Sequence, residues 1–99
     1  MTDGAMLTIM TAIFDWRCPG HLSGTTALMV CANLAIEYEH RGTPWSTARL
    51  AKKCAISRGK EQRAVWESIR YALRSGPGPK SPAKAIKAIV ERAHRNGTI

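Results

Sequence analysis

The sequence predicts an all-α protein, a compact bundle of about five helices that contains a helix-turn-helix. Apolar residues recur at steps of three and four along the chain, as on one face of a helix, and no segment alternates as a strand would. The chain has 99 residues, 44% of them hydrophobic, which is enough for one small core. We therefore expect a single domain over residues 1–99, with a linker over 75–81 and helices over 5–15, 22–40, 46–54, 57–74 and 82–95.

The first two helices are expected to form much of the core. The second helix is the longest and should be the central packing helix. The apolar face expected for the first helix consists of Met6, Ile9, Met10 and Ile13. The corresponding stripe of the second helix consists of Leu28, Cys31, Ala32, Ala35 and Tyr38.

Residues 50–65 carry the pattern of a helix-turn-helix. Ala51 is small where two helices must approach closely, Ala55 is small beside the turn, and Ile56 is expected to fill the gap between the helices. Ser57 is expected to be the N-cap of the second helix of the motif, because its hydroxyl can accept a bond from a free backbone amide. The core face of that helix should be formed by Ala64, Val65, Ser68, Ile69, Ala72 and Leu73.

The last helix is expected to begin at Pro82, because proline is favourable in a first helical turn. The two prolines and two glycines between residues 75 and 81 indicate a linker before it.

Two tryptophans, Trp16 and Trp45, are expected to have structural roles. Trp16 should cap the core at the end of the first helix, and Trp45 should staple the start of the third helix.

Charge is distributed unevenly along the chain. Residues 1–40 hold one Arg against four Asp and Glu, whereas residues 41–99 hold fourteen Lys and Arg against three Glu. The excess positive charge therefore lies in and after the proposed motif. A polyanionic partner is expected, because neutralising phosphates releases counterions; a basic face that is merely solvated is the alternative.

The residue pattern argues against an enzyme. The sequence has no paired carboxylates, no glycine-rich phosphate loop and no complete set of metal ligands. Three widely spaced cysteines imply no disulfide framework, and Cys18 with His21 lacks a second pair of zinc ligands. We expect no catalytic residues, no metal and no cofactor.

No membrane association is expected from the sequence. The longest apolar stretch, residues 27–36, is too short to span a bilayer. Asp3 rather than a basic cluster precedes the apolar run over 5–14, which argues against a signal peptide. The expected location is the cytoplasm, in association with the nucleoid.

The motif predicts which side chains would contact DNA. The second helix of a helix-turn-helix enters the major groove, and the first crosses the phosphate backbone. The candidate base contacts are Arg58, Lys60, Gln62 and Arg63. The candidate phosphate contacts are Arg49, Lys52, Lys53, Arg70, Lys84 and Lys87. An exposed face with a simple pair between Arg63 and Glu67 is the alternative interpretation of the reading helix.

Over about residues 7–93 the chain resembles the C-terminal DNA-binding effector domain of the sporulation response regulators, the stage zero sporulation protein A family. Pro19, His21, Leu22 and Gly24 are similar to a family segment that precedes its long second helix. The family also has an Ile-Ala-Lys-Lys run like Leu50-Ala51-Lys52-Lys53 and an Arg-Ala-Ile run like Arg63-Ala64-Val65, followed by Ile and Ala as at Ile69 and Ala72. The resemblance implies an all-helical DNA-binding domain and adds Trp66 and Glu67 to the candidate base contacts.

The chain departs from the family at most contact positions. Arg63 is identical, but Lys60 replaces Arg, Gln62 replaces Glu, Trp66 replaces Arg and Glu67 replaces His. The family's target sequence therefore does not carry over, and no receiver domain fits in 99 residues.

Two departures concern the fold. Glu61 occupies an aliphatic core position of the family, so either its stem covers the core or the helix is slightly rotated. The segment over residues 41–45 is shorter than the corresponding stretch of the family.

We expect a DNA-binding transcription regulator that binds duplex DNA through the helix over 57–74. The alternative is an interaction module that kept the fold and binds an acidic protein through Trp66 and the basic face, since tryptophan is frequent in binding hot spots. Trp66 has three interpretations: a contact to DNA sugar or a stack with Arg70, an anchor for a protein, or a buried core residue. The sequence leaves open whether the protein is a homodimer.

Overall fold

The computed structural model describes residues 3–99 and is all-α. Five helices follow one another: α1 Asp3–Asp15, α2 Ser23–His40, α3 Thr47–Arg58, α4 Gln62–Leu73 and α5 Pro82–Arg95. No strand occurs in residues 3–99, so the predicted fold class is confirmed. The molecule measures 31 × 27 × 20 Å along its principal axes.

α2 is the central helix and packs against each of the other four. All five residues of its predicted apolar stripe are buried. The stripe is rich in alanine, which lets neighbouring helices approach closely on several sides. α1 and α5 pack against each other and against α2, while α3 and α4 form a second pair on α2.

Trp16 caps the core where α1 ends, as predicted, and is almost fully buried. The backbone of the linker lies directly on it, since a Cβ placed on Gly78 would be 2.3 Å from the indole Cγ. The Arg92 guanidinium lies 5.5 Å from the Trp16 ring centroid and bonds to Asp15 at 2.9 Å. The linker is thus held against the core, next to a contact between α1 and α5.

Trp45 supports the turn between α2 and α3. It is half-buried, packs against the core and donates its indole N–H to Glu39 at 3.1 Å. Ser46 is the N-cap of α3, and its hydroxyl accepts the backbone N–H of Arg49 at 3.2 Å. Such a cap stabilises a helix by about 1 kcal/mol.

The boundary between the two helices of the motif differs from the prediction. α3 ends at Arg58 rather than at residue 54, and α4 begins at Gln62 rather than at residue 57. Ser57 lies inside α3 and donates its hydroxyl to the Cys54 carbonyl, so its predicted role as an N-cap is wrong. The helix stops instead at Gly59, which adopts a φ of 64°, a conformation that glycine takes without steric cost.

The N-cap of α4 is Glu61, which forms no side-chain capping bond and is exposed. Its carboxylate lies at the positive end of the helix dipole, which is favourable for a negative charge. Glu61 therefore lies outside the core. Neither coverage of the core by its stem nor a rotation of the helix, the two alternatives considered from the sequence, is needed.

Some predicted core positions are on the surface. Ile56 is 72% exposed and does not fill the gap between the helices, because α3 continues past it and turns its side chain outward. Met6 and Met10 are exposed on α1, and Ala64 is exposed on α4. The buried side of α4 is instead formed by Val65, Ile69, Ala72 and Leu73.

The remaining boundaries agree closely with the prediction. α1 begins two residues earlier than expected, α2 one residue later, and α5 coincides with the predicted range. Among the described residues, no helix is both long enough and apolar enough to cross a membrane.

Candidate nucleic-acid interface

A three-residue turn fixes the geometry of α3 and α4. Gly59 donates its backbone N–H to the Ile56 carbonyl at 3.3 Å, and Lys60 donates to the Ala55 carbonyl at 2.9 Å. These bonds satisfy carbonyls at the end of α3 and close the turn. Ala51 and Ala55 are buried, as the motif requires.

A side-chain bond adds to this constraint. Gln62, the first residue of α4, donates its amide to the carbonyl of Ala48 in the first turn of α3 at 3.3 Å. The start of α4 is therefore held against α3. The same bond occupies one donor of Gln62, which reduces its capacity to form the paired bonds expected with adenine.

Two other predicted base contacts lie outside α4. Arg58 is half-buried in the last turn of α3, where its charge is favourable at the helix C-terminus. Its predicted position at the start of the reading helix is therefore wrong, because α3 runs on to Gly59. Lys60 lies exposed in the turn itself, next to the start of α4.

Arg63 and Glu67 are on the outer face of α4. The Arg63 side chain is 87% exposed, and its Nε bonds to a Glu67 carboxylate oxygen at 3.1 Å. An exposed pair of this spacing contributes only about 0.2–0.5 kcal/mol. Arg63 can therefore exchange Glu67 for another acceptor at low cost.

Trp66 is half-buried and packs against the hydrophobic core. This position is closest to the buried interpretation, although part of the ring remains at the surface.

Exposed Ala64 lies one turn before Ser68 on the side of α4 next to residues 22–24. A methyl group there leaves room for another surface to approach the helix.

The C-terminal half of α4 carries further positive charge. Arg70 and Arg74 are exposed, and the Arg74 guanidinium lies 5.7 Å from the ring centroid of exposed Tyr71. Lys80 donates its ammonium to the carbonyls of Leu73 at 3.4 Å and Arg74 at 3.2 Å, and also to Gly76. Lys80 thus stabilises the end of the helix, whereas Arg70 remains available at the surface.

On α3, the predicted phosphate contacts Arg49, Lys52 and Lys53 are all exposed. Arg49 and Lys53 lie beside the ring of Tyr38 in α2, together with Arg41. Their positive charge, first of all the Lys53 ammonium that hydrogen-bonds to the phenol, lowers the pKa of Tyr38.

The sequence interpretation missed two members of this group, Tyr38 and Arg41. The available signal was their separation by three residues at the end of α2, just before the short turn to α3. The same interpretation missed Tyr71, which lies three residues before Arg74.

The two lysines predicted on α5 have different surroundings. Lys84 is exposed. Lys87 lines a cleft between α5 and residues 42–47, together with Glu39 and Glu91. Two carboxylates near one ammonium leave little net positive charge, so Lys87 is a weaker candidate for a phosphate contact than the residues on α3.

The three cysteines have structural positions. Cys18, Cys31 and Cys54 are free and buried. Burial raises the pKa of all three thiols, that of Cys31 to about 12. Within residues 3–99, no cluster of three or more His, Cys, Asp or Glu side chains is arranged to hold a metal ion.

Comparison of the chain with protein-family models, curated proteins and solved structures gives no significant match. Function therefore has to be inferred from the residues and their geometry.

Proposed function

We propose that the chain is a regulator that binds double-stranded DNA through the exposed faces of α3 and α4. The observation that carries this proposal is the charge of those two faces. Residues 47–74 carry seven exposed Lys and Arg side chains. The same residues include two carboxylates, Glu61 and Glu67. The positive residues are Arg49, Lys52, Lys53, Lys60, Arg63, Arg70 and Arg74.

The shape of the pair supports the same function. Two helices joined by three residues, the second with an exposed polar face, are the elements of a helix-turn-helix, which places its second helix in the major groove. In this arrangement Arg63 lies where it can reach a base edge, and the methyl of Ala64 can contact a thymine methyl. The resemblance to the sporulation regulators supports the same orientation of α4.

Regulation of transcription is the expected use of such binding, and the cytoplasm is the expected location. Arg49, Lys52, Lys53 and Arg70 would hold phosphates, and Lys84 would add a more distant contact. Half-buried Trp66 offers little free surface to DNA or to a protein, so the acidic-partner alternative has weaker support.

The proposal is tested with duplex DNA of random sequence at about 50 mM salt, where phosphate contacts are strongest. We expect salt-dependent binding that weakens when Lys60 and Arg63 are both changed to alanine. The matched control changes Lys87 and Arg95 to alanine on α5, which removes the same charge. Equal binding by both double variants would reject α4 as the reading helix, and absence of duplex binding by the wild type would reject the DNA proposal.

We also infer that two copies pair through α1. Leu7, Met10 and Phe14 recur at helical spacing on its outer face and are 69%, 45% and 83% exposed. Asp3 lies on the same face one turn earlier, and Arg17 follows the helix. In an antiparallel pair centred on Met10, Asp3 of each copy approaches Arg17 of the other, so that charges and apolar residues are complementary.

The pair is expected to be weak. A helix of 13 residues is about 20 Å long, and its outer face covers less than the roughly 800 Å² that each partner contributes to a standard interface. Sedimentation velocity over a range of protein concentrations should show dimerisation that Phe14→Gln abolishes. Ile56→Gln removes another exposed apolar side chain, 72% exposed on α3, and should have no effect. A wild type that stays monomeric would contradict the pairing.

A further inference from the structure

The ring of Tyr38 is surrounded by three cations. The guanidinium carbons of Arg41 and Arg49 lie 5.3 Å and 5.6 Å from the ring centroid, and the Lys53 ammonium lies 5.2 Å from it. The residues come from two helices, because Arg41 caps the end of α2 whereas Arg49 and Lys53 are one turn apart on α3. Tyr38 is only 4% exposed, whereas Arg41, Arg49 and Lys53 are exposed residues.

The neighbouring carboxylates bond to groups outside this cluster. Glu37 accepts a bond from the Asn33 amide at 3.3 Å. Glu39 accepts from the Trp45 indole at 3.1 Å and lies 3.4 Å from His94. None of the ion pairs found among residues 3–99 includes Arg41, Arg49 or Lys53.

Three like charges that each lie 5.2–5.6 Å from one ring centroid repel each other. The Debye length at physiological salt is about 8 Å, so solvent ions screen this repulsion only in part. Attraction to the face of an aromatic ring is favourable for each cation, but it does not neutralise the charge. The Arg41 Nε donates to the Glu37 backbone carbonyl at 3.4 Å, which leaves its terminal N–H groups as donors. An anion that bonds to all three groups would reduce the repulsion and use their remaining donors.

We propose that Arg41, Arg49 and Lys53, arranged around Tyr38, form a binding site for a phosphate group. The two guanidinium groups and the ammonium supply charge and N–H donors, and attraction to the aromatic ring favours their position around it. The Tyr38 hydroxyl lies in the same field of positive charge, and its pKa is lowered first by the hydrogen bond from Lys53 and then by the charges of Lys53, Arg49 and Arg41.

The source of the phosphate depends on the function proposed above. If α4 enters the major groove, α3 lies across the adjacent backbone, and the cluster would hold one phosphodiester of the DNA. A free phosphate ion is the other source of the same chemistry. The two sources are separated by testing inorganic phosphate and duplex DNA independently.

The first experiment titrates inorganic phosphate into the full chain and follows the side-chain and backbone N–H resonances, with chloride added to the same ionic strength as a reference. We expect saturable shifts that are largest at Arg41, Arg49 and Lys53. Arg41→Gln should weaken phosphate binding several-fold, Arg41→Lys should restore part of it, and Arg95→Gln should leave it unchanged. Shifts that do not saturate, or that spread equally over the arginines of α4 and α5, would overturn the site.

The second experiment measures duplex binding against salt. Replacement of Arg41, Arg49 and Lys53 together by glutamine removes the one phosphate contact of the cluster and should reduce the slope of log affinity against log salt by about one. Phosphate binding at the cluster without duplex binding would reject the DNA proposal and retain the site for a free ion. Phosphate binding with an unchanged slope would assign the site to a free ion as well. Duplex binding without saturable phosphate shifts would reject the site alone.

Discussion

Gly24 of α2 lies directly against the backbone of Ser68 in α4. A Cβ placed on Gly24 would be 1.8 Å from the Ser68 carbonyl oxygen and 2.4 Å from its carbonyl carbon. The Ser68 hydroxyl turns back along its own helix to the Ala64 carbonyl at 2.8 Å, so it does not occupy the contact. The absence of a side chain at residue 24 therefore sets the closest approach of the two helices.

Gly24→Ala should strongly destabilise the protein. The added methyl meets backbone rather than a flexible side chain, so α2 and α4 must separate, and overpacking of this kind costs about 1–3 kcal/mol or more. Urea unfolding should show the loss as a lower midpoint. Gly20→Ala is the matched control, because a Cβ at Gly20 meets nothing within 4 Å. Equal midpoints for the two variants would show that the helices are not in such close contact.

Lys80→Met should destabilise the end of α4. The Lys80 ammonium donates to the carbonyls of Leu73 and Arg74, which have no partner further along the helix, and methionine keeps the length of the stem without the donors. Since the group is exposed, we expect a loss of about 1 kcal/mol rather than the larger value of a buried charged bond. Thermal unfolding measures the loss. Lys84→Met, in the first turn of α5, should change stability by less.

The cysteines should react with a thiol reagent only after unfolding. Burial raises the pKa of Cys31 to about 12 and also raises that of Cys54, so both remain protonated and inaccessible in the native state near neutral pH. The rate of labelling by an aromatic disulfide reagent checks this. A cysteine introduced by Ile56→Cys should react at once in the folded protein. Rapid labelling of Cys31 in the wild type would indicate that α2 and α3 separate readily.

Removal of the Lys53 charge should raise the pKa of Tyr38. The Lys53 ammonium is the main cause of the lowered value, so Lys53→Met should return the pKa toward the ordinary 10.0. Phenolate absorbance during a pH titration measures the change, and Lys52→Met is the control. Because the folded pKa lies below the unfolded one, the phenolate favours the fold: this contribution is present above the unfolded pKa and is lost as pH falls through the folded value. An unchanged pKa in Lys53→Met would contradict the contact.

Local signals predicted most of the fold. Pro82 placed the start of α5 correctly, because proline is compatible with a first helical turn and with little else in a helix. The steps of three and four residues between apolar positions correctly predicted the buried stripe of α2. The boundary between α3 and α4 was misplaced because Ser57 and Gly59 are both residue types that occur at helix ends. Serine can cap a helix or bond within its last turn, whereas glycine with positive φ ends one.

The candidate interface was harder to predict. Its exposed cations on α3 and α4 were identified from spacing, but Arg58 was assigned to the wrong helix as a result of the boundary. The group around Tyr38 depends on how the end of α2 docks on α3, and no periodicity within one helix contains that information. The bond from Gln62 to the Ala48 carbonyl spans fourteen residues and follows from the turn geometry alone.

The bonded turn at Gly59 has a thermodynamic consequence. Because backbone bonds close the turn and Gln62 holds the start of α4 on α3, the angle between the two helices is set before any partner arrives. Binding on this face would then order side chains without folding a segment, and its change in heat capacity would reflect only the surface covered. A larger decrease in heat capacity would indicate that part of the chain folds as it binds.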